Sequence, residues 1–177
     1  MRWFGSATSS IEALVDAHYG ALYRYAYRLS GSAQEAEDLT QETFCQAQNK
    51  LFQLRDEAKA KSWLFTILRN AYLHRLRANK HEKHVSLEGI PELPERAGET
   101  PPLVDSAQLQ KALGELPELF RTPIILYYFE DFSYKDIAEQ MNVPLGTVMS
   151  RLARGKAFLR ERLLDSSDLI ERAREGS

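Results

Sequence analysis

An acidic segment rich in proline divides this chain of 177 residues into two shorter parts. From Val85 to Ser106 the sequence reads VSLEGIPELPERAGETPPLVDS, with four prolines, two glycines and a net charge of −4. Proline lacks the N–H that a helix interior needs, and glycine weakens regular structure. No helical period survives here, which is typical of a flexible linker. The sequence therefore predicts two small domains, residues 1–84 and 107–177, joined by the linker 85–106.

The overall composition argues against several classes of function. The formal net charge of −2 is unlike that of a protein that holds nucleic acid alone by bulk attraction to phosphates. A single cysteine, Cys45, cannot form an intramolecular disulfide, and four scattered histidines suggest no metal site. No apolar run approaches the roughly 18 residues that cross a bilayer. We expect a cytoplasmic protein with no bound metal, no cofactor and no membrane insertion.

Residues 1–84 predict a bundle of three helices, because apolar side chains recur there at helical spacing. The first helix covers about 11–29 and is closed by Ser30-Gly31-Ser32, a typical helix stop. The second covers about 33–54 and the third about 58–84. Three helices with facing apolar stripes are enough to enclose one small core.

Two of these helices also carry polar faces. On the second helix, the residues opposite the core stripe are Asp38, Gln41, Glu42 and Cys45. On the third helix, one polar and basic face is formed by Arg69, Asn70, Arg77 and Lys80. Trp63 and Phe65 are predicted to pack in the core, as single aromatic residues at helical spacing usually do. The acidic face has an ordinary alternative, a solvated helix surface.

Residues 107–177 predict four helices that end in a helix-turn-helix. A helix over 108–116 precedes a second one opened by Pro117. Ser133 with Asp136 resembles a capping box that starts a short helix, Tyr134–Met141. The run Asn142-Val143-Pro144-Leu145-Gly146 then breaks that helix, and the last helix is predicted to begin near Thr147. A short helix, a turn with proline and glycine, and a second helix are typical of DNA-binding proteins.

The last helix is predicted to pack on one face and read DNA on the other. Its apolar face consists of Val148, Leu152, Gly155, Leu159 and Leu163. Gly155 is expected to permit close approach of the first helix of the motif. Its opposite face carries Thr147, Ser150, Arg151 and Arg154, followed by Lys156. Arginine pairs with guanine edges, and hydroxyls reach bases or phosphates. The alternative is a solvated basic face.

Three segments resemble extracytoplasmic-function (ECF) sigma factors of the sigma-70 superfamily. SYKDIAEQMNVPLGTVMSRLARGKAFLRERL (133–163) is similar to the family's region 4, which reads the minus-thirty-five promoter element. DLTQETFCQAQNKL (38–51) is similar to its polymerase-binding helix, and AKSWLFTILRNAYLHRLRANK (60–80) to its minus-ten helix, both in region 2. The chain lacks an additional helical domain between these modules, which is typical of the ECF type.

The resemblance implies partners and residue roles. The polymerase core enzyme would be bound through Asp38, Gln41 and Glu42, facing the coiled coil of the largest subunit. The minus-ten element would contact Arg69, Asn70, Arg77 and Lys80, with a flipped base held near Arg55–Lys59. The minus-thirty-five element would contact Thr147, Ser150, Arg151, Arg154 and Lys156. An anti-sigma factor is a further partner that the resemblance allows. His74 and Met149 depart from the family pattern, which affects the promoter sequence expected rather than the family.

The residues also allow three other functions. A stand-alone helix-turn-helix repressor or activator would bind operator DNA without polymerase, usually as a dimer. A metal-assisted nuclease would use Asp38 and Glu42 with His74, although the two carboxylates lie on one helix without a convincing ligand set. A protein-interaction bundle would tolerate loss of Arg151 and Arg154. The sequence favours a sigma factor that is not an enzyme.

Overall fold

The computed structural model describes the backbone of residues 10–79 and 106–175 and the side chains of 10–78 and 106–164. Every regular element in these ranges is helical and none is a strand, which confirms the predicted all-α fold class. Within the same ranges, no helix combines the length and the apolar character needed to span a bilayer.

The helices divide between two compact units. Within the described residues, one unit holds 10–27 and 32–79, and the other holds 28–31 and 106–175. The predicted linker 85–106 lies outside the described residues except for its last position.

The first unit is built on the three predicted helices, α1 (Ile11–Ser30, of which residues 11–27 belong to this unit), α2 (Ala33–Asn49) and α3 (Ala60–Asn79). Gly31 follows α1 with φ at 74°, in the left-handed region that glycine enters without steric cost. Ser32 then caps α2, because its side chain accepts a hydrogen bond from the backbone N–H of Glu35 at 3.3 Å. The predicted stop between the first two helices is confirmed.

Side chains from all three helices bury together in the core of this unit. The rings of Tyr25 on α1 and Phe65 on α3 stack with centroids 4.8 Å apart. Phe65 is fully buried as predicted, whereas Trp63 is only half-buried. The buried hydroxyls of Thr40 and Thr43 each donate at 2.7 Å to the carbonyl one turn earlier on α2. Their burial therefore costs little, because no polar atom loses its partner.

The segment between α2 and α3 corrects the prediction. The second helix, predicted to reach Leu54, ends at Asn49, because Lys50 leaves helical geometry with φ −114° and ψ 13°. A short 3-10 helix, Leu51–Gln53, follows. Leu51 and Leu54 are half-buried there, so their apolar spacing reflects contact with the core and not a longer helix.

The start of the third helix is also later than predicted. Asp56 accepts a hydrogen bond from the backbone N–H of Ala58 at 3.0 Å and opens a second 3-10 helix, Glu57–Lys59. The α-helical part begins only at Ala60. The predicted continuation to His84 falls outside the described residues.

The second unit contains four helices: α4 (Ser106–Glu115), α5 (Glu118–Tyr128), α6 (Tyr134–Met141) and α7 (Leu145–Glu175). Pro117 precedes α5 in extended geometry, and Pro123 lies buried inside it without ending it. The guanidinium of Arg121 donates to the carbonyls of Gly114 and Leu116 at 2.7–3.0 Å. Arg121 thereby satisfies carbonyls left open where α4 ends.

Gly155 lets α7 approach α5 closely. A Cβ added at this position would lie 2.8 Å from Cγ1 of Ile124 and 3.5 Å from the carbonyl oxygen of Phe120. The sequence predicted close approach to the first helix of the helix-turn-helix motif, and that assignment is wrong. The facing helix is α5, which a helical period alone could not identify because both helices present apolar residues.

Candidate functional site

The helix-turn-helix of the second unit is fixed by local caps. Ser133 and Asp136 form the predicted capping box, with Asp136 N–H donating to the Ser133 hydroxyl at 3.2 Å and Ser133 N–H donating to the Asp136 carboxylate at 3.1 Å. Asn142 has left-handed geometry with φ 51° and ψ 51°. The N–H of Val143 donates to the carbonyl of Ala138 at 3.1 Å, which completes the end of α6.

The last helix starts earlier than predicted. Its first residue is Leu145 and not Thr147, because the carbonyl of Pro144 accepts the backbone N–H groups of Thr147 at 2.9 Å and Val148 at 3.3 Å. Proline suits this boundary because a residue just before a helix needs no backbone N–H for the helical hydrogen bonds. Gly146 is therefore in the first turn of α7 and not in the preceding break.

The predicted reading residues divide into outward and marginal positions on α7. Val148, Leu152 and Leu159 are buried as predicted. Ser150 and Arg154 are exposed, and Lys156 is exposed as well. Thr147 and Arg151 are half-buried at one edge of the exposed face. The outward face of α7 is therefore centred on Ser150, whose hydroxyl donates to the Thr147 carbonyl at 3.0 Å.

The predicted polymerase-binding residues differ in their exposure to solvent. Asp38 and Gln41 are exposed on α2. Glu42 is half-buried, and both of its carboxylate oxygens accept hydrogen bonds: from Gln46 at 3.1 Å and from Arg75 of α3 at 2.6 Å. Sequence reasoning missed Arg75, because a partner 33 residues away gives no local signal. Glu42 is thus tied to α3 while its two neighbours point outward.

The outer surface of α3 carries the predicted minus-ten residues. Asn70 and Arg77 are exposed, and His74 is exposed between them, one helical turn from each. Arg69 is half-buried at one side. Lys80 lies outside the described residues.

The segment before α3 exposes one aromatic ring that the sequence did not single out. Phe52 is 79% exposed, the largest value among the exposed large apolar residues of the described chain. The predicted base-capturing segment Arg55–Lys59 is also exposed throughout. The sequence did offer a signal for Phe52, because it is an aromatic residue just before a run of charged residues. Cys45, a free thiol, is exposed on α2.

A metal-assisted nuclease would need a set of metal ligands, and the described ranges contain none. No three or more His, Cys, Asp or Glu side chains there come together in a way that could hold a metal ion. Asp38, Glu42 and His74 are thus not gathered into a coordinating cluster.

Family models match both units. The model for Sigma-70 region 2 matches residues 14–82, and the model for Sigma-70, region 4 matches residues 106–159. The first match covers α2 and α3, and the second covers the helix-turn-helix with its predicted reading residues. Both exposed surfaces described above therefore lie inside segments typical of one family.

Known proteins resemble the chain along most of its length. It is 36% identical over 170 residues to the ECF RNA polymerase sigma factor SigE of Mycolicibacterium smegmatis, covering 92% of this chain and 65% of that protein. It is 33% identical over 168 residues to the ECF RNA polymerase sigma factor SigW of Bacillus subtilis, covering 86% and 88%. The chain belongs to the ECF sigma factors of the sigma-70 family.

Solved structures agree with this family in fold. The sigma factor RpoE of Bartonella quintana, in complex with the anti-sigma factor NepR, is 31% identical with a TM-score of 0.70, covering 86% of this chain and 95% of that one. CnrH, in complex with the cytosolic domain of CnrY, is 24% identical with a TM-score of 0.63, covering 88% of both chains. The second likeness concerns the fold alone.

Proposed function

We propose that this ECF sigma factor binds the RNA polymerase core enzyme through α2 and directs it to promoters that α3 and α7 recognise. The observation that carries the proposal is the presence, in one chain, of an exposed acidic face on α2 and a capped helix-turn-helix with arginine on its outward face. In this reading residues 1–84 act as region 2, residues 107–177 as region 4, and residues 85–106 as the linker.

Recognition of the minus-thirty-five element is assigned to α7. The major groove of B-DNA is about 12 Å wide and admits an α-helix. Ser150 and Arg154, which are exposed, would reach base edges, and arginine commonly pairs with guanine. Thr147, Arg151 and Lys156 flank them and would contact phosphates, which fix the register of the helix on the duplex.

Binding of the core enzyme is assigned to Asp38 and Gln41, which are exposed on α2. Carboxylates on an exposed helix face attract a basic partner surface and set its orientation. Glu42 belongs to the same predicted set, but its carboxylate is bound by Arg75 and Gln46. Its contribution would be to hold this part of α2 against α3.

Recognition of the minus-ten element is assigned to α3 and the segment before it. Asn70 and Arg77 would contact the displaced strand, with Arg69 and Lys80 adding positive charge. A base that leaves the stack must be held by polar or aromatic groups. The exposed segment Arg55–Lys59 would supply them.

The proposal extends to location, partners and chemistry. A sigma factor works in the cytoplasm with the polymerase, and it carries no catalysis or cofactor of its own. The likeness to RpoE, which was solved with an anti-sigma factor, supports an anti-sigma partner for this chain.

Reconstituted transcription tests the proposal. Core polymerase with and without the purified chain is supplied with genomic fragments, and transcript start sites are mapped. We expect discrete starts only with the chain, lost with Arg154→Ala and kept with Lys111→Ala, an exposed basic residue of α4 outside the motif. Start sites identical to those of core enzyme alone would contradict the proposal. Tight operator binding by the chain alone would favour a repressor or activator instead.

A further inference from the structure

The reading helix exposes a large apolar side chain beside its polar ones. Met149 is 52% exposed on α7, next to Ser150 in the chain. Ala153, one turn further along, is exposed as well. A methionine in this position places about half of its surface in water, although α7 has a buried face available to apolar residues.

The order of residues around α7 gives its outward face two halves. At 100° per residue, exposed Lys156 lies beside Met149 and exposed Gly146 lies between Ala153 and Ser150. Between residues 146 and 156, the other exposed positions follow in the order Met149, Ala153, Ser150 and Arg154. The first two are apolar, and the last two can donate hydrogen bonds. A helix lying in the major groove with Ser150 at its centre would thus carry an apolar half next to a polar half.

The major groove offers one apolar group to such a surface. Among the four bases, only thymine presents a methyl group at its major-groove edge, while the other groups at the base edges are hydrogen-bond donors and acceptors. Methionine is flexible and polarisable, so it adapts to a methyl group without strict geometry. We propose that Met149, supported by Ala153, selects a thymine in the minus-thirty-five element. This inference rests on the proposed reading of that element by α7.

The helix geometry limits where that thymine lies. Met149 precedes Arg154 by five residues, which corresponds to about 7.5 Å along the helix axis. Base pairs are stacked about 3.4 Å apart. The thymine is therefore expected within about two or three base pairs of the position that Arg154 reads.

A matched control exists on the same helix. Leu145 is 49% exposed, close to the value for Met149, and lies one turn earlier. It lines a shallow groove with residues of α6 and the turn, among them Ala138, Asn142 and Val143. Leu145 is therefore turned toward the motif itself, and its truncation removes similar apolar surface without touching the proposed contact.

Selection of promoters by holoenzyme tests the proposal. Core polymerase with the wild-type chain, Met149→Ala, Met149→Leu or Leu145→Ala selects from a library with a randomised upstream element. The wild type should enrich thymine at one position near the one controlled by Arg154. Met149→Ala should lose that preference, whereas Met149→Leu and Leu145→Ala should keep it.

Replacing that thymine by uracil removes the methyl group alone. Wild-type holoenzyme should bind the uracil duplex about fourfold more weakly, the change expected for one buried methyl-sized group. Met149→Ala should bind both duplexes equally. The inference is overturned if Met149→Ala still selects the thymine, or if uracil weakens both proteins alike. If wild-type holoenzyme selects no upstream motif, or Arg154→Ala selects the same motif as wild type, the proposed function fails as well.

Discussion

The two surfaces proposed to contact the polymerase and the promoter are held in different ways. On α2, the acidic face is braced from another helix, because Arg75 of α3 binds Glu42 at 2.6 Å. On α7, the face proposed to read DNA is fixed by the caps at Ser133 and Asn142 and by the close packing of Gly155 on α5. The first surface is braced by a partly exposed ion pair, and the second by backbone caps and close helix packing.

This difference predicts which substitutions will reduce stability and binding most. Changes at the caps or at Gly155 should weaken the second unit and its DNA reading while core binding persists. Changes at the Glu42–Arg75 pair should alter the first unit only slightly, because ion pairs that remain partly exposed contribute little.

Gly155→Ala should cause the largest loss of stability. The added Cβ would lie 2.8 Å from Cγ1 of Ile124, so the Ile124 side chain or the two helices must shift. We expect the free energy of unfolding to fall by about 1–3 kcal/mol, measured by urea denaturation. Gly114→Ala is the control, because nothing lies within 4 Å of its added Cβ. Alanine there should stabilise the helix by up to about 1 kcal/mol, and equal losses at both glycines would contradict this account.

Ser133→Ala should weaken the start of α6. The hydroxyl accepts the backbone N–H of Asp136, and loss of such a cap costs about 1 kcal/mol. The measurement is the unfolding midpoint, together with promoter binding by holoenzyme. Ser150→Ala serves as control for stability, because its hydroxyl is exposed and bonds only one turn back along α7. An unchanged unfolding midpoint in Ser133→Ala would show that the capping box does not hold the motif.

The Glu42–Arg75 pair should show a small coupling between α2 and α3. A double-mutant cycle with Glu42→Gln and Arg75→Gln should give a coupling of about 0.2–1 kcal/mol, since both side chains remain about one third exposed. The coupling should shrink in 1 M salt. Measuring the affinity of the same variants for the core enzyme tests whether the Glu42–Arg75 pair also matters for binding. Additive effects on stability would show that the pair does not brace the surface.

His18 should add a weak pH dependence to the first unit. Partial burial, and to a lesser degree the positive charge of Lys61, lower the pKa of His18 below its usual value. The folded state therefore favours the neutral imidazole. The stability that His18 contributes to the first unit is thus complete above the pKa of His18 in the unfolded chain, and it is lost as the pH falls from that value through the lower pKa of the folded state. NMR titration should find a lowered pKa that rises in Lys61→Gln. A pKa at the ordinary value in both proteins would contradict the assignment.

Sequence reasoning located what is encoded locally. The capping box, the break after Met141 and the buried stripe of α7 follow from residue types a few positions apart, and the structure confirms them. The polar residues on α2 and α3 were found in the same way. Asp38 and Gln41 are exposed as their helical spacing requires.

What the sequence did not reveal depends on packing between distant segments. Arg75 is the partner of Glu42 only because α3 lies against α2, and helical spacing within either helix does not show it. Gly155 meets α5 and not α6 for the same reason. Leu51 and Leu54 kept the helical spacing of α2, yet the backbone at Lys50 had already left the helix. Apolar spacing reports burial, and burial does not require a continuous helix.

The affinity of two double variants for the core enzyme tests whether separate surfaces bind the polymerase and read the promoter. Asp38→Ala with Gln41→Ala should weaken core binding by at least about tenfold, whereas Ser150→Ala with Arg154→Ala should leave it unchanged and abolish promoter-specific initiation. Wild-type core affinity in the first pair, or loss of core affinity in the second, would contradict separate polymerase-binding and promoter-reading surfaces.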